Sequence, residues 1–197
     1  MKDFNVVLVG VGGQGILLAA EILGTAAVKD GLNVRVSEIH GMAQRGGSVV
    51  STLRIGENVF APTVLEGHAD LLMGFEQLET LRSLNYTSEK TMVLMGDERI
   101  PPTELAAKNA EYPSTDDILQ KIRRFTQRIV IVEAAKLAEK TGSRVVQNTI
   151  LVGAAAGTGK LPVKKHSITD ALEELVPSKH LLLNVKAFEA GYNSVKK

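Results

Sequence analysis

The sequence predicts a single α/β domain spanning residues 1–197. Apolar, strand-like runs alternate with amphipathic helical segments, a pattern typical of a mainly parallel sheet covered by helices. A chain of 197 residues with 44% hydrophobic content is long enough to bury one substantial core. We find no internal repeat and no low-complexity linker that would divide it.

The first part of the chain predicts a βαβ unit. Residues 5–9 form a continuous apolar strand, and residues 16–30 carry apolar positions at helical spacing up to Gly31, which is expected to end the helix. Residues 33–37 form the next strand. Such a unit implies a parallel strand pair with a right-handed crossover. The predicted architecture is therefore Rossmann-like, with three layers and a mainly parallel sheet.

The middle of the chain predicts a β-hairpin insertion and the rest of the sheet. Residues 49–55 alternate between apolar and polar side chains, and the turn at residues 56–58 leads into a short strand at 59–60. Further strands are predicted at residues 69–75, 91–95 and 128–132, and further helices at residues 77–84, 116–124 and 134–140.

The last fifty residues predict a helical C-terminal part. Helices are expected at residues 149–156, 167–175 and 178–192, the second beginning with a Ser167-x-x-Asp170 cap. The last helix should present Leu181, Val185, Phe188 and Tyr192 on one face. Asn148 and Asn184 lie in otherwise apolar helical segments, so we expect them to cap or cross-link helices.

Composition excludes several classes of function. With 23 basic and 22 acidic side chains the net charge is only +1, so no global field favours nucleic acid or an anionic membrane. The chain has no cysteine and cannot supply thiolates for an iron–sulfur cluster, a zinc site or a disulfide. It shows neither a signal-peptide pattern nor an apolar run long enough to span a membrane, so we expect a cytoplasmic protein.

A first glycine loop follows the first strand and opens the first helix. Its candidate cofactor-binding residues are Gly10, Gly12, Gly13, Gln14 and Gly15. A helix beginning at Ile16 offers free N–H groups that could cradle a phosphate, and Glu38 stands where a ribose-binding acid would be expected. An NAD(P)-binding oxidoreductase is therefore the alternative hypothesis. The other explanation is a structural turn whose open face meets a partner or a substrate.

A second glycine loop, between the second and third strands, is harder to explain by packing. Gln44 and Arg45 precede Gly46 and Gly47, so side-chain donors stand beside residues that tolerate positive φ. Backbone and side-chain donors could converge there on an anionic or carbonyl target. Arg45, Gln44 and His40 are the candidate catalytic residues, while Gly46 and Gly47 are further candidates for cofactor binding.

These motifs resemble a known family, the gamma-type subunits or domains of the 2-oxoacid:ferredoxin oxidoreductases. The segments that carry the resemblance are 9–15 (VGVGGQG), 38–49 (EIHGMAQRGGSV), 75–79 (FEQLE), 100–102 (IPP), 147–149 (QNT) and 184–191 (NVKAFEAG). They span nearly the whole chain. The Arg-Gly-Gly element is shared across the family, whereas the His-Gly-Met-Ala-Gln lead-in is similar to the aryl-pyruvate, indolepyruvate-type branch. Relatives often carry Asn where this chain has Met95-Gly96-Asp97 at the end of a strand, which is a departure from the family pattern.

The resemblance implies one subunit of a complex that decarboxylates a 2-oxoacid, reduces ferredoxin and forms an acyl-CoA. Thiamine diphosphate and the iron–sulfur clusters would belong to a large partner subunit. The nearest approach here to a thiamine motif, Gly96-Asp97-Glu98, lacks the Asn pair that should follow it. The chain alone should then be inactive, and an isolated copy could form a homodimer through the surface meant for its partner. A scaffold whose loops make only protein contacts is a further alternative.

Overall fold

The computed structural model describes residues 3–40, 46–102 and 111–196. Its sheet has six strands in the order β2-β3-β1-β4-β5-β6. The strands are β1 (Phe4–Val11), β2 (Asn33–His40), β3 (Ser48–Gly56), β4 (Leu71–Gly74), β5 (Met92–Gly96) and β6 (Ile129–Val132). The helices are α1 (Ile16–Lys29), α2 (Gln77–Arg82), α3 (Thr115–Ile122), α4 (Ala134–Thr141), α5 (Gln147–Gly157), α6 (Lys165–Leu175) and α7 (Ser178–Ser194).

The sheet is mixed, with one antiparallel strand inside it. Strands β1, β4, β5 and β6 run parallel, whereas β3 pairs antiparallel with both β1 and β2. The expected parallel pairing of the first two strands is therefore wrong. Strands β1 and β2 run in the same direction, but β3 lies between them and takes the ladder hydrogen bonds of both.

The hairpin expected after residue 55 does not form. Residues 57–70 contain no strand and instead cross one face of β3. The Thr52 hydroxyl donates to the carbonyl of Pro62 (3.0 Å), and the Arg54 guanidinium donates to that of Ala61 (3.0 Å). Strand β3 is already paired with β1 on one side and β2 on the other, so it has no free edge for a further strand. The antiparallel part of the sheet is instead the β2–β3–β1 unit.

Two hydrophobic cores confirm the three layers. Alternate residues of β1 point to opposite faces, with Val6 and Leu8 in one core and Val7 and Val9 in the other. The first core lies beneath α1 and α4–α7, and the second lies beneath α2 and α3.

Helices α5 and α7 pack with their backbones in close approach. A Cβ added at Gly153 would lie 2.1 Å from the Phe188 carbonyl oxygen, and one at Gly191 would lie 1.9 Å from that of Ile150. Glycine is therefore required on both helices. The buried face of α7 consists of Asn184, Ala187, Phe188 and Gly191, so Leu181 and Val185 of the expected face are less buried than predicted.

Polar side chains reinforce the C-terminal helices. The Thr149 hydroxyl donates to Asn184 Oδ1 (2.6 Å), which confirms that Asn184 cross-links helices. Ser167, however, does not cap α6, because that helix begins two residues earlier and its N-cap is Lys164. The Ser167 hydroxyl donates instead to Asp30 Oδ1 (2.6 Å) and ties α6 to the end of α1.

The close approach of α5 and α7 generates a stability prediction. Gly191→Ala should lower the free energy of unfolding by about 1–3 kcal/mol, because the new methyl group meets backbone that cannot move aside. Gly24→Ala in α1 is the matched control. Its Cβ would meet only Val36 Cγ2 at 3.5 Å and Leu53 Cδ1 at 3.6 Å, so it should be neutral or stabilise by up to about 1 kcal/mol. Urea denaturation of both variants measures the difference, and equal stabilities would contradict this account.

Candidate functional site

The two glycine loops meet at one edge of the sheet. The carboxyl ends of β1, β4 and β5 lie there, together with the start of β3, since Val11 pairs with Ser48. The Gly12 N–H donates to the Gly47 carbonyl (2.8 Å), and the Gly46 N–H donates to the Gly12 carbonyl (3.4 Å). Ligands of α/β proteins bind outside the carboxyl ends of such strands. The structure therefore brings the two predicted loops together where a site is expected.

Backbone geometry explains several glycines of the first loop. Gly13 and Gly15 have φ values of +106° and +73°, which other residues rarely adopt. A Cβ at Gly10 would lie 2.8 Å from Phe75 Cβ, and one at Gly15 would lie 2.6 Å from Asn148 Nδ2. Gly10 and Gly15 thus allow the loop to pack against neighbouring elements, whereas Gly13 is exposed and has open space before it.

Gln14 clips the first loop to two neighbouring strand ends. Its Oε1 accepts from the Val11 N–H (2.7 Å), and its Nε2 donates to the Phe75 carbonyl (3.0 Å) and to Glu98 Oε2 (2.8 Å). Both amide hydrogens are used within the chain. Gln14 therefore holds the loop in shape rather than offering donors to a ligand.

Glu98 belongs to the site although the sequence reasoning missed it. It follows β5, and the Gln14 amide reaches it across the sheet edge. Its position two residues after a parallel strand was the available signal, because such positions meet at this edge. Asp97 beside it has a structural role, since its Oδ1 accepts from the Ala135 N–H (3.1 Å) in the first turn of α4.

A buried carboxylate connects the segments that lie next to the site. Glu76 is 1% exposed and caps α2, with Oε2 accepting from the Glu79 N–H (2.8 Å). Its Oε1 accepts from the Ile100 N–H (3.0 Å) and from the Tyr112 hydroxyl. Burial, the hydrogen bond to Glu76 and the charge of that carboxylate raise the pKa of Tyr112 above its ordinary value, so the hydroxyl remains a donor.

A second carboxylate anchors the strand that follows the second loop. Glu79 is 5% exposed, and its Oε2 accepts from the Ser48 hydroxyl (2.6 Å) at the start of β3. Its Oε1 pairs with the Arg82 guanidinium at 2.6 Å. The chain leaving Gly47 is therefore fixed to α2.

Two adjoining cavities open beside the first loop. One, of about 410 Å³, has Glu98, Arg144 and Gln147 among its polar lining residues. The other, of about 470 Å³, lies over α1 and α7, with an aliphatic lining that includes Leu18, Val176 and Leu183. They share Gly13, Gln14 and Val145.

The structure gives no side-chain position for the three predicted catalytic residues. Gln44 and Arg45 lie outside the described residues, and of His40 only the backbone is described, which pairs with Val49. Within residues 3–40, 46–102 and 111–196 no group of three or more His, Asp or Glu residues could hold a metal ion. In the same ranges, none of the helices has the length and apolar character needed to cross a bilayer.

The strand order removes the geometric basis of the NAD(P) hypothesis. In a dinucleotide-binding fold the acid that binds the ribose ends the strand next to β1. Here β3 stands between β1 and β2, so Glu38 is displaced from the first loop by an additional strand, about 5 Å of sheet width. Glu38 is therefore not on the strand beside the first loop, and the NAD(P)-binding hypothesis depended on that position.

Fold and site thus define a class: a mixed α/β domain with two hydrogen-bonded glycine loops at its carboxyl edge. The family model for pyruvate ferredoxin/flavodoxin oxidoreductase matches residues 5–194. The chain is 40% identical over 197 residues to "Indolepyruvate oxidoreductase subunit IorB" of Thermococcus kodakarensis, covering 100% of this chain and 98% of the relative. The chain belongs to the pyruvate ferredoxin/flavodoxin oxidoreductase family, as the sequence resemblance predicted.

Solved structures agree on the fold. The keto/oxoacid ferredoxin oxidoreductase gamma subunit of Geobacter sulfurreducens superposes with a TM-score of 0.70 at 23% identity, covering 98% of both chains. The 2-oxoglutarate:ferredoxin oxidoreductase of Magnetococcus marinus superposes with a TM-score of 0.76 at 14% identity. In that case the match covers 99% of this chain and 31% of the other, so the same fold occurs there within a longer polypeptide.

The Gln14 clip generates a pH-dependent prediction. Gln14→Glu keeps the acceptor for Val11 but places a second carboxylate against Glu98, so the pKa of one of the two should rise in the folded state. A raised folded pKa means that stability is lost as pH rises. We expect the variant to be less stable than wild type by at least about 2 kcal/mol at pH 8, and the deficit to shrink towards pH 5.

The control is the double variant Gln14→Glu with Glu98→Gln, which restores one hydrogen-bond donor and removes the like charge. Its stability relative to wild type should vary little between pH 5 and pH 8. A Gln14→Glu chain as stable as wild type at pH 8 would show that the clip does not hold the loop.

Proposed function

We propose that this chain is the small subunit of an indolepyruvate oxidoreductase. In that role it supports the oxidative decarboxylation of an aryl-pyruvate to an acyl-CoA, with reduction of ferredoxin. The observation that carries the proposal is the 40% identity, over the full length of both chains, to a protein named indolepyruvate oxidoreductase subunit. The His-Gly-Met-Ala-Gln sequence at residues 40–44 supports the aryl-pyruvate branch.

The redox chemistry belongs to a large partner subunit. Iron–sulfur clusters need thiolate ligands, and this chain has no cysteine. The thiamine motif is likewise incomplete at residues 96–98. When bound to that partner, thiamine diphosphate would provide the carbanion chemistry of decarboxylation and the clusters would carry the electrons. The small subunit on its own is then inactive.

The contribution of this chain is a shaped protein surface. Gln14 bonds the first loop to neighbouring strand ends, and Glu79 bonds Ser48 at the start of β3, so this edge of the sheet has a defined shape before a partner binds. Backbone groups of exposed Gly13 and the side chain of Arg45 are the donors we assign to contact with the large subunit or the substrate side of its active site.

Reconstitution tests the proposal. The tagged chain should co-purify from its native cells with one large polypeptide in fixed stoichiometry, and that polypeptide should contain thiamine and iron. The complex should oxidise indolepyruvate with CoA and reduce ferredoxin, while the free chain should be colourless and inactive. A partner free of thiamine and iron, or aryl-pyruvate oxidation by the isolated chain, would refute it.

Arg45 provides a sharper test of the second loop. Arg45→Ala should leave the melting temperature of the free subunit unchanged and reduce assembly or activity of the complex by about 2 kcal/mol or more, because a charge-assisted contact is lost. Arg45→Lys should restore only part of the loss, since an ammonium group cannot reproduce the planar guanidinium. Arg124→Ala, at an exposed position just after α3, is the control and should behave like wild type. A lower melting temperature with full activity of the complex would make Arg45 structural.

A further inference from the structure

Glu98 lines the 410 Å³ cavity with a carboxylate that has one oxygen to spare. Its Oε2 accepts from Gln14 Nε2 (2.8 Å), whereas its Oε1 accepts no hydrogen bond from residues 3–40, 46–102 or 111–196. Arg144 lines the same cavity, but its guanidinium bonds to Glu139 (2.9 Å). A ligand in this cavity therefore finds a carboxylate oxygen that no side chain of the described residues occupies.

The backbone around Glu98 is held in place by the start of α2. The Gln77 N–H donates to the Glu98 carbonyl (3.2 Å), and Gln77 Nε2 donates to the Asp97 carbonyl (3.4 Å). The Ile100 N–H donates to Glu76 Oε1 (3.0 Å). Both the main chain and one oxygen of Glu98 are thus fixed before any ligand binds. A group positioned in this way loses little conformational freedom on binding.

The rest of the cavity is largely apolar. Phe75, Ile100 and Leu151 contribute hydrophobic surface to its lining. The Gln147 amide, in the first turn of α5, is half-exposed and has no hydrogen-bond partner within the described ranges. Small-molecule sites are typically cavities of roughly 300–1,000 Å³ with apolar walls and a few positioned polar groups. This cavity has that size and that lining.

Such a lining fits a flat aromatic ring that carries an N–H group. The ring packs against apolar side chains, and its N–H needs an acceptor when it leaves water, which the Glu98 carboxylate provides. Indole carries a single polar atom of this kind. Adenine, the ring of CoA, also has an amino donor, but several of its ring nitrogens need donors. Within the described lining only the Gln147 amide is unpaired, so the polar groups favour indole.

We propose that Glu98 is a specificity-determining residue of the complex, accepting a hydrogen bond from the indole N–H of the substrate while the 410 Å³ cavity encloses the ring. The inference rests on the proposed function, which supplies a substrate with an indole group. The cavity lies outside the carboxyl ends of parallel strands, where α/β proteins bind ligands. The oxo-acid end of the substrate stays at the cavity opening, towards the large subunit, and Glu98 takes no part in breaking bonds.

Two substrates that differ at one ring position test this hydrogen bond: indolepyruvate and 3-benzothienylpyruvate, in which sulfur replaces the N–H. In the wild-type complex kcat/KM for the sulfur analogue should be at least about tenfold lower, because the positioned carboxylate loses its donor. Glu98→Gln keeps an oxygen for the Gln14 amide but presents its own NH2 group to the cavity. It should lower kcat/KM for indolepyruvate by at least about tenfold and reduce the preference over the sulfur analogue to about twofold or less.

Glu89→Gln is the matched control, because Glu89 is an exposed carboxylate before β5, at the opposite edge of the sheet. Its complex should keep the wild-type preference. The measurements are rates of ferredoxin reduction by the reconstituted complexes, the melting temperature of each free subunit and its affinity for the large subunit. A loss of preference confined to Glu98→Gln, with unchanged affinity for the large subunit, supports the proposal.

Equal use of the two substrates by the wild-type complex overturns the proposal without any variant. So does a Glu98→Gln complex whose rates fall equally for both substrates, because the carboxylate would then contact the large subunit. A raised KM for CoA with unchanged use of indolepyruvate overturns it as well, since the cavity would then hold adenine. A wild-type complex that does not oxidise indolepyruvate refutes the proposed function itself.

Discussion

The antiparallel pairing of β1 with β3 is the constraint on which the site depends. The two strands stay in register from Phe4 opposite Ile55 to Val11 opposite Ser48. Because they run in opposite directions, the end of β1 and the start of β3 lie side by side. The loop that leaves β1 and the loop that enters β3 are thereby brought within hydrogen-bonding distance at Gly12 and Gly47.

Side chains then convert this juxtaposition into a fixed surface. Gln14 connects three separate segments through one amide group, and Glu79 ties Ser48 to α2. Buried carboxylates are costly unless hydrogen-bonded, and Glu76 and Glu79 each have at least two partners. These hydrogen bonds therefore fix the first loop and the start of β3. A site built in this way is suited to presenting a surface to a catalytic partner.

The C-terminal helices determine what lies next to the loops. Their close approach at Gly153 and Gly191 places α5 and α7 as one layer over the sheet, and Thr149 bonds across it to Asn184. The turn that carries Val145 enters this layer directly. The cavities around Val145 therefore exist because α1, α5 and α7 converge at the first loop.

Local sequence determined the elements, the family and the two loops. Apolar periodicity was sufficient for the six strands of the sheet and most helices, because periods of about 2 and 3.6 residues are properties of the chain itself, although the further strand expected at residues 59–60 does not form. Gly46, which the sequence marked as tolerating positive φ, has a φ of +79°, because such a backbone requirement is local. The absence of cysteine excluded a cluster without any structural knowledge.

Tertiary structure alone decided which strands are neighbours and which side chains meet. The insertion of β3 between β1 and β2 could not be read from the sequence, because the same βαβ pattern is compatible with direct pairing of its two strands. Ser167 was a plausible cap by its local sequence, yet its partner Asp30 lies 137 residues away. Glu98 became part of the site only because folding placed it beside Gln14. Pairings between distant segments depend on the global packing of the chain, and no local pattern encodes them.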